Sequence, residues 1–459
     1  MSTSYQFPAD FVWGAATAAY QIEGAAAEDG RKPSVWDTFS KIPGRVKTGE
    51  TGDIANDHYH RVESDVALMA SLGLKHYRFS IAWPRILPDG TGAVNEKGVD
   101  FYKRLLDSLA KHGITPHATL FHWDSPQALE DRYGSWRSRR MADDFAAYAD
   151  VVVRRLGDRI SDWMTINEIP CFTDLGYGVG KPGVHAPGTQ VAHRKEVLQT
   201  AHHALLAHGK AVKAIRAASP KPCKIGLVDC AGIPVPVTES AADIAAVKRA
   251  FQDQWLNGMV TFGALTGRYS ELFLTHKGDK GEVPDIAPGD LEIISQPLDR
   301  WFLNIYSGTW VRAAANADGY ELLDLPIGYP RLDMPWLNLM PESLYWGPRL
   351  VRECCGFQGE VMISENGCAA QDSINERGEI MDLDRVRYLR DYLRQAHRAV
   401  AEGYPLKGYF VWSLMDNFEW AWGYAKRFGI IYNIYESQTR IPKQSAKWYA
   451  ECIRQNRVV

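Results

Sequence analysis

Two glutamates carry the strongest chemical signal in this chain. Glu168 follows the apolar run Trp163-Met164-Thr165-Ile166, and Glu365 follows Val361-Met362-Ile363-Ser364; each adjoins an asparagine, Asn167 or Asn366. One carboxylate at the end of such a run is equally well explained by a structural hydrogen bond. Two that converge on one pocket are what glycosidic bond cleavage needs: one protonates the leaving oxygen, the other attacks or activates water. Other apolar runs end on residues that suit the same purpose. Gln21 follows the first, Arg78 lies within the second, and His122, Trp123 and Asp124 follow the third. Asn304 and Tyr306 close the sixth, and Trp412, Glu419 and Trp420 lie at the last. Amides, an imidazole, a phenol and indoles can hydrogen-bond hydroxyls and cover the apolar face of a sugar ring. Basic groups are sparse among them, and no glycine-rich phosphate turn occurs, so a phosphate site is not expected.

These residues need a frame that gathers strand ends. Eight apolar runs read as strands, at 11–20, 74–82, 114–121, 162–166, 224–228, 301–305, 360–364 and 408–414. Several are continuously apolar, as strands covered on both faces should be. Amphipathic helices alternate with them. Val99, Tyr102, Leu106 and Leu109 form one stripe, and Val386, Leu389, Leu393, Ala396 and Val400 another. Further helices are expected at 61–72, 139–156, 195–217, 241–262, 341–354 and 443–455. Eight strand–helix alternations argue for an α/β fold, a single (β/α)8 TIM barrel with long βα loops spanning 1–459, over a doubly wound open sheet. In such a barrel the active site lies at the C-terminal ends of the strands, where the residues above fall.

Composition narrows the class. With 52 basic and 55 acidic residues the net charge is −3, which excludes a polycationic nucleic-acid binder. No apolar run approaches the length of a membrane span, and the N-terminal residues lack the basic and apolar regions of a secretory signal. Seven cysteines, none in C-x-x-C spacing, read as buried reduced thiols, so a cytoplasmic location is expected. Fifteen tryptophans hint at flat aromatic surfaces for a ligand, with a large aromatic core as the alternative; Trp13, Trp83 and Trp163 are assigned to that core. His202, His203 and His208 lack the i, i+4 face of a metal pair, and His58 and His60 lack an obvious third ligand, so structural roles are expected for all five. Glu23 and Arg85 read as an ion pair. No metal and no cofactor is expected.

A pattern runs the length of the chain. It comprises Phe11 to Gly24 (FVWGAATAAYQIEG), Tyr77 to Arg85 (YRFSIAWPR), Phe121-His122-Trp123-Asp124, Thr165-Ile166-Asn167-Glu168, Ile363-Ser364-Glu365-Asn366-Gly367, Trp412 to Trp420 (WSLMDNFEW) and Lys426-Arg427-Phe428-Gly429. It resembles the β-glucosidases of glycoside hydrolase family 1. The resemblance implies a retaining mechanism with Glu365 as nucleophile and Glu168 as general acid/base. It implies that Arg78, Asn304 and Tyr306 support Glu365, and that Asn167 holds the sugar 2-hydroxyl. It places Gln21, His122, Trp123, Glu419, Trp420 and Phe428 at the glycone, Trp412 beneath it and Trp336 on the aglycone side. Three positions depart from the usual pattern: Ile169 stands between Glu168 and Pro170, Ile305 between Asn304 and Tyr306, and Ser135 between Gly134 and Trp136. The expected partners are small β-glucosides or oligosaccharides, not nucleic acid or membrane, with homo-oligomerisation left open. β-Galactosidase, β-fucosidase and transglycosylase activities are alternatives on the same site. A 6-phosphoglycosidase is disfavoured by Glu419, and a non-catalytic sugar-binding protein by the presence of both glutamates.

Overall fold

The computed structural model describes residues 5–459. Eight parallel strands close into a barrel: β1 (Val12–Ala16), β2 (His76–Ser80), β3 (Thr115–Phe121), β4 (Asp162–Asn167), β5 (Lys224–Asp229), β6 (Arg300–Asn304), β7 (Glu360–Asn366) and β8 (Leu406–Trp412). Each pairs with its sequence neighbours, and β1 closes the ring on β8 with Val12 opposite Gly408. All eight expected strands are present, and the (β/α)8 reading holds. The first is shorter than expected, because the chain turns at Ala19–Ile22 into a helical turn whose first amide donates to Ser80 Oγ at 2.7 Å.

Helices clothe the barrel: α1 (His58–Ser71), α2 (Glu96–Lys111), α3 (Met141–Leu156), α4 (Arg194–Ala218), α5 (Val260–Thr266), α6 (Ser343–Cys355), α7 (Leu383–Ala401) and α8 (Gln444–Gln455). Val99, Tyr102, Leu106 and Leu109 of α2 are buried as expected, as are Leu389, Leu393 and Ala396 of α7, whereas Val386 and Val400 are half-buried. The helix expected over 241–262 is instead broken into Ala241–Ala250 and α5. Between the two pieces the Asn257 side chain clamps the Gly232 backbone, giving and receiving hydrogen bonds of 2.8 and 2.9 Å. Gly258 packs so closely that a Cβ there would lie 2.2 Å from the Gln252 carbonyl.

Polar residues seal the bottom of the barrel. His117 Nδ1 lies 2.6 Å from Asp162 Oδ2 and Nε2 lies 3.0 Å from His76, while Arg300 bridges Asp162 and Glu360. That face serves stability, leaving the opposite rim for chemistry. The rim carries the long loops. Pro234–Pro236, Thr309–Ala313 and Tyr320–Leu322 form a small sheet of their own after β5 and β6.

The tryptophans are mostly core. Trp83, Trp163 and Trp301 are fully buried and Trp13 nearly so, as expected for the three named from sequence, while only Trp255 and Trp336 are strongly exposed. His202, His203 and His208 are hydrogen-bonded to Tyr269, to the Trp136 carbonyl and to Thr165, and His58 and His60 to aspartates. Glu23 and Arg85 form the expected buried pair at 2.9 Å. The cysteines are free thiols, but five of them, Cys171, Cys223, Cys230, Cys354 and Cys355, are half-buried rather than buried. No helix among the described residues is long and apolar enough to cross a membrane.

Candidate active site

Both glutamates stand at the C-terminal rim, and the strand ends that present them are irregular. The register of β4 against β5 shifts between Met164 and Asn167, and that of β7 against β6 shifts between Ile363 and Glu365. Such shifts re-aim side chains and are common beside active sites. Glu168 also has a left-handed backbone (φ 50°), an uncommon conformation for a non-glycine residue. It is anchored there by its amide, which donates to the Val228 carbonyl of β5 at 2.9 Å.

Glu365 is held by two donors. The Arg78 guanidinium reaches Oε1 at 2.5 Å and the Tyr306 hydroxyl reaches Oε2 at 2.6 Å. Arg78 is wholly buried and also donates to Asn167 Oδ1 at 2.7 Å and to the Ser364 carbonyl at 3.1 Å. Glu168 has a poorer environment, with only neutral donors: Asn304 Nδ2 to Oε1 at 2.8 Å and the Cys171 thiol. Asn304, expected beside Glu365, bonds to Glu168 and to Asn167 Oδ1 (3.1 Å) and also helps to hold the Glu365 carboxyl down. Its own oxygen is occupied by Ser364 Oγ, which turns the amide nitrogen toward β4.

The electrostatics separate the two carboxyls. Burial pushes both upward. On Glu365 this is opposed by the Arg78 charge and the Tyr306 hydroxyl. On Glu168 it is reinforced by the charge of Glu365 and eased only in part by hydrogen bonds from Asn304 and Cys171 and, least, by the Arg78 charge. The shared proton therefore resides on Glu168 and the negative charge on Glu365. Tyr306 is itself held far above the ordinary phenol range by burial and by both glutamates, so it remains a donor. Glu419 is pushed up to about 8, first by burial and then by the charges of Glu365 and Glu168, which puts a third carboxyl in the same pocket.

The remaining expected residues line this centre. The Oδ1 of Asn167 accepts from both Arg78 and Asn304, which fixes its Nδ2 as the donor to His122 Nε2 at 3.2 Å. His122 is held well below the usual imidazole range by burial and by Arg78, so it is neutral and carries its proton on Nδ1. That Nδ1 and the Oε1 of buried Gln21 have no partner within the protein. Gln21 Nε2 is tied to Asn417 Oδ1 and to the Phe418 carbonyl, next to Glu419. The His122 ring lies near-parallel to those of Trp412 and Trp420, each 5.8 Å away. Trp123 is buried, its indole N–H donates to the Asn167 carbonyl at 3.0 Å, and its ring lies tilted against Trp420 at 4.5 Å, so it stands as a wall of the pocket. Trp336, 47% exposed, and buried Phe428 meet Tyr306 edge-on at 5.7 and 6.1 Å.

Supporting residues went unread in the sequence. Ser364 orients Asn304, Asn417 orients Gln21, and the Tyr388 and Tyr392 hydroxyls both donate to the Tyr306 carbonyl at 2.8 Å. His185, on the loop after β4, packs against Trp123 and Trp36. Ser364 and Asn417 adjoin or lie within motifs already singled out; nothing in the spacing marks the tyrosines or His185.

The family model for glycosyl hydrolase family 1 matches residues 3–458. The chain belongs to glycosyl hydrolase family 1. Among family 1 relatives, Beta-glucosidase A of Acetivibrio thermocellus is 43% identical over 454 residues, covering 98% of each chain. A bifunctional beta-D-glucosidase/beta-D-fucosidase of Bifidobacterium breve is 42% identical, covering 97% of this chain and 98% of its own. The solved beta-glucosidase from Thermotoga maritima in complex with deoxynojirimycin superposes with a TM-score of 0.89 at 42% identity, covering 99% of this chain and 100% of its own. The chain is accordingly a family 1 glycoside hydrolase.

Proposed function

We propose that this chain is a retaining β-glucosidase that releases terminal β-D-glucosyl residues, with Glu365 as nucleophile and Glu168 as acid/base. The unequal support of the two carboxyls carries the assignment: a charged arginine and a phenol donate to Glu365, and only neutral groups, an amide and a thiol, to Glu168. Glu365 attacks the anomeric carbon while Glu168 gives its proton to the departing aglycone oxygen. The resulting glycosyl ester has no charge on Glu365, so the repulsion that raised Glu168 disappears. Glu168 then takes a proton from water, which attacks the same carbon and restores the carboxylate. His122 Nδ1–H and Gln21 Oε1, both unpartnered, offer one donor and one acceptor to sugar hydroxyls. Asn167 keeps one amide hydrogen for the 2-hydroxyl, Trp412 lies under the ring and Trp336 faces the aglycone.

The names of the relatives support glucose as the glycone, and the Bifidobacterium relative supports fucosides as a second substrate class. A 6-phosphorylated sugar would enter a pocket with three carboxyls, while Arg78 is committed to Glu365 and Asn167. We further read residues 1–459 as one cytoplasmic domain. A panel of aryl β-glycosides tests the reading. Glucosides and, more weakly, fucosides should turn over, 6-phosphoglucosides should not, and Glu365→Gly should abolish all of it. Undiminished turnover by Glu365→Gly would refute the assignment.

A further inference from the structure

Beside the acid/base lie two thiols that take no chemical step in hydrolysis. Cys171 sits in the helix Ile169–Thr173, three residues after Glu168, and Cys230 directly follows β5. Their sulfurs are 3.8 Å apart. Among the described residues, Glu168, Cys171 and Cys230 are the one set of three His, Cys, Asp or Glu side chains whose ligand atoms all lie within 4.8 Å of each other.

We propose that these three side chains form an inhibitory site for a thiophilic divalent cation, Zn2+ or its surrogate Cd2+, whose binding takes Glu168 out of the reaction. The sulfur spacing matches the ion. Thiolates bind Zn2+ at about 2.3 Å in a tetrahedron, and the edge of that tetrahedron is about 3.8 Å. A disulfide, at about 2.05 Å, would need the sulfurs to close by nearly half their separation. A carboxylate oxygen on the same ion lies about 3.5 Å from each sulfur, within reach of a side-chain rotation of Glu168. The frame is already tied together: the Cys171 amide donates to the Glu168 carbonyl, and the Glu168 amide to Val228, two residues before Cys230. Two soft sulfurs and one oxygen favour Zn2+ or Cd2+ over Mg2+ or Ca2+, and leave a fourth position for water. On binding, both thiol protons and any proton on Glu168 pass to solvent. A carboxylate ligated in this way can neither protonate the aglycone nor activate water.

The inhibitory consequence rests on the role proposed for Glu168; the binding does not. The test therefore reads them separately on the full chain, kept reduced by a phosphine, after its metal-free turnover of an aryl β-glucoside has been recorded. Cd2+ should give an ultraviolet thiolate-to-cadmium absorption that saturates at one ion per chain. Turnover should fall in parallel and return on adding a chelator. Cys230→Ala should abolish the absorption and raise the half-inhibiting concentration by at least about tenfold, since even outer partners of a metal site are worth that much. Cys171→Ala is the second variant should the first not fold. Cys354→Ala should change neither reading. Absorption and inhibition that persist in Cys230→Ala and Cys171→Ala would overturn the site while leaving the hydrolase reading intact. Saturation at the two thiols with undiminished turnover would overturn the block at Glu168.

Discussion

Replacing Tyr306 by Phe removes a single oxygen from the site and leaves the ring between Trp336 and Phe428. The oxygen lost is the donor 2.6 Å from Glu365 Oε2. A hydrogen bond to a charged group contributes about 1.5–3 kcal/mol. At 1.36 kcal/mol per pH unit, its loss should raise the pKa of Glu365 by about 1–2 units. Glu365 must be ionised to attack, so the acid limb of kcat/KM should move to higher pH by that amount. The alkaline limb, which reports loss of the proton held on Glu168, should move less, so the bell narrows. The two limbs belong to the coupled pair, and it is their separation that carries the information. Below the acid limb the variant should be about 10- to 100-fold slower than wild type. On the plateau the loss should be smaller, because a less-stabilised carboxylate is also a better nucleophile. The assay is kcat/KM for an aryl β-glucoside from pH 4 to 9 in steps of half a unit. An equal loss at every pH with an unmoved acid limb would refute the reasoning, because it would mean that Tyr306 only positions substrate.

Other perturbations read other parts of the account. Glu419 is raised to about 8 and so is protonated at neutral pH; Glu419→Gln should retain more kcat/KM than Glu419→Ala, for which a loss of about 10- to 100-fold is expected. His208 is wholly buried against Thr165 and held at about 3 by burial. The unfolded chain binds a proton below the ordinary imidazole pKa of about 6.5 and the folded chain does not, so stability should fall as pH falls through that window. His208→Gln should flatten that dependence by about 2.3 kcal/mol between pH 6.5 and 4.5, measured by denaturant unfolding; an unchanged slope would contradict the burial argument. A Cβ at Gly367 would lie 1.7 Å from the Trp412 carbonyl. Gly367→Ala should cost about 2–3 kcal/mol of stability and displace both the loop after Glu365 and the floor of the site; a wild-type melting temperature would show that this contact relaxes freely.

The barrel was legible because its strands are short, largely apolar and alternated with amphipathic helices, and most end on or just before a polar residue. The boundaries that failed did so for local reasons. Strand one stops early where Ser80 captures the Ala19 amide, and the helix expected over 241–262 breaks where Asn257 clamps Gly232. The site residues were visible as types, but their pairings were not. Asn304 and Tyr306 flank Ile305, yet Tyr306 donates to Glu365 while the Asn304 amide, set by Ser364, reaches across to Glu168. The register shifts in β4 and β7 leave no mark in composition. Cys171 and Cys230, 59 residues apart, show no metal spacing until the barrel brings β4 and β5 together.

The division of labour between the two glutamates is tested most directly by the stereochemistry of a rescued reaction. Glu168→Ala keeps Glu365 and its donors, so it should still form the glycosyl ester from a substrate with an activated leaving group. Azide, which needs no general base, should then attack the ester from the face vacated by the aglycone. Proton NMR of the product should show the β-glycosyl azide. An α-glycosyl azide would contradict a covalent intermediate on Glu365, and with it the central claim.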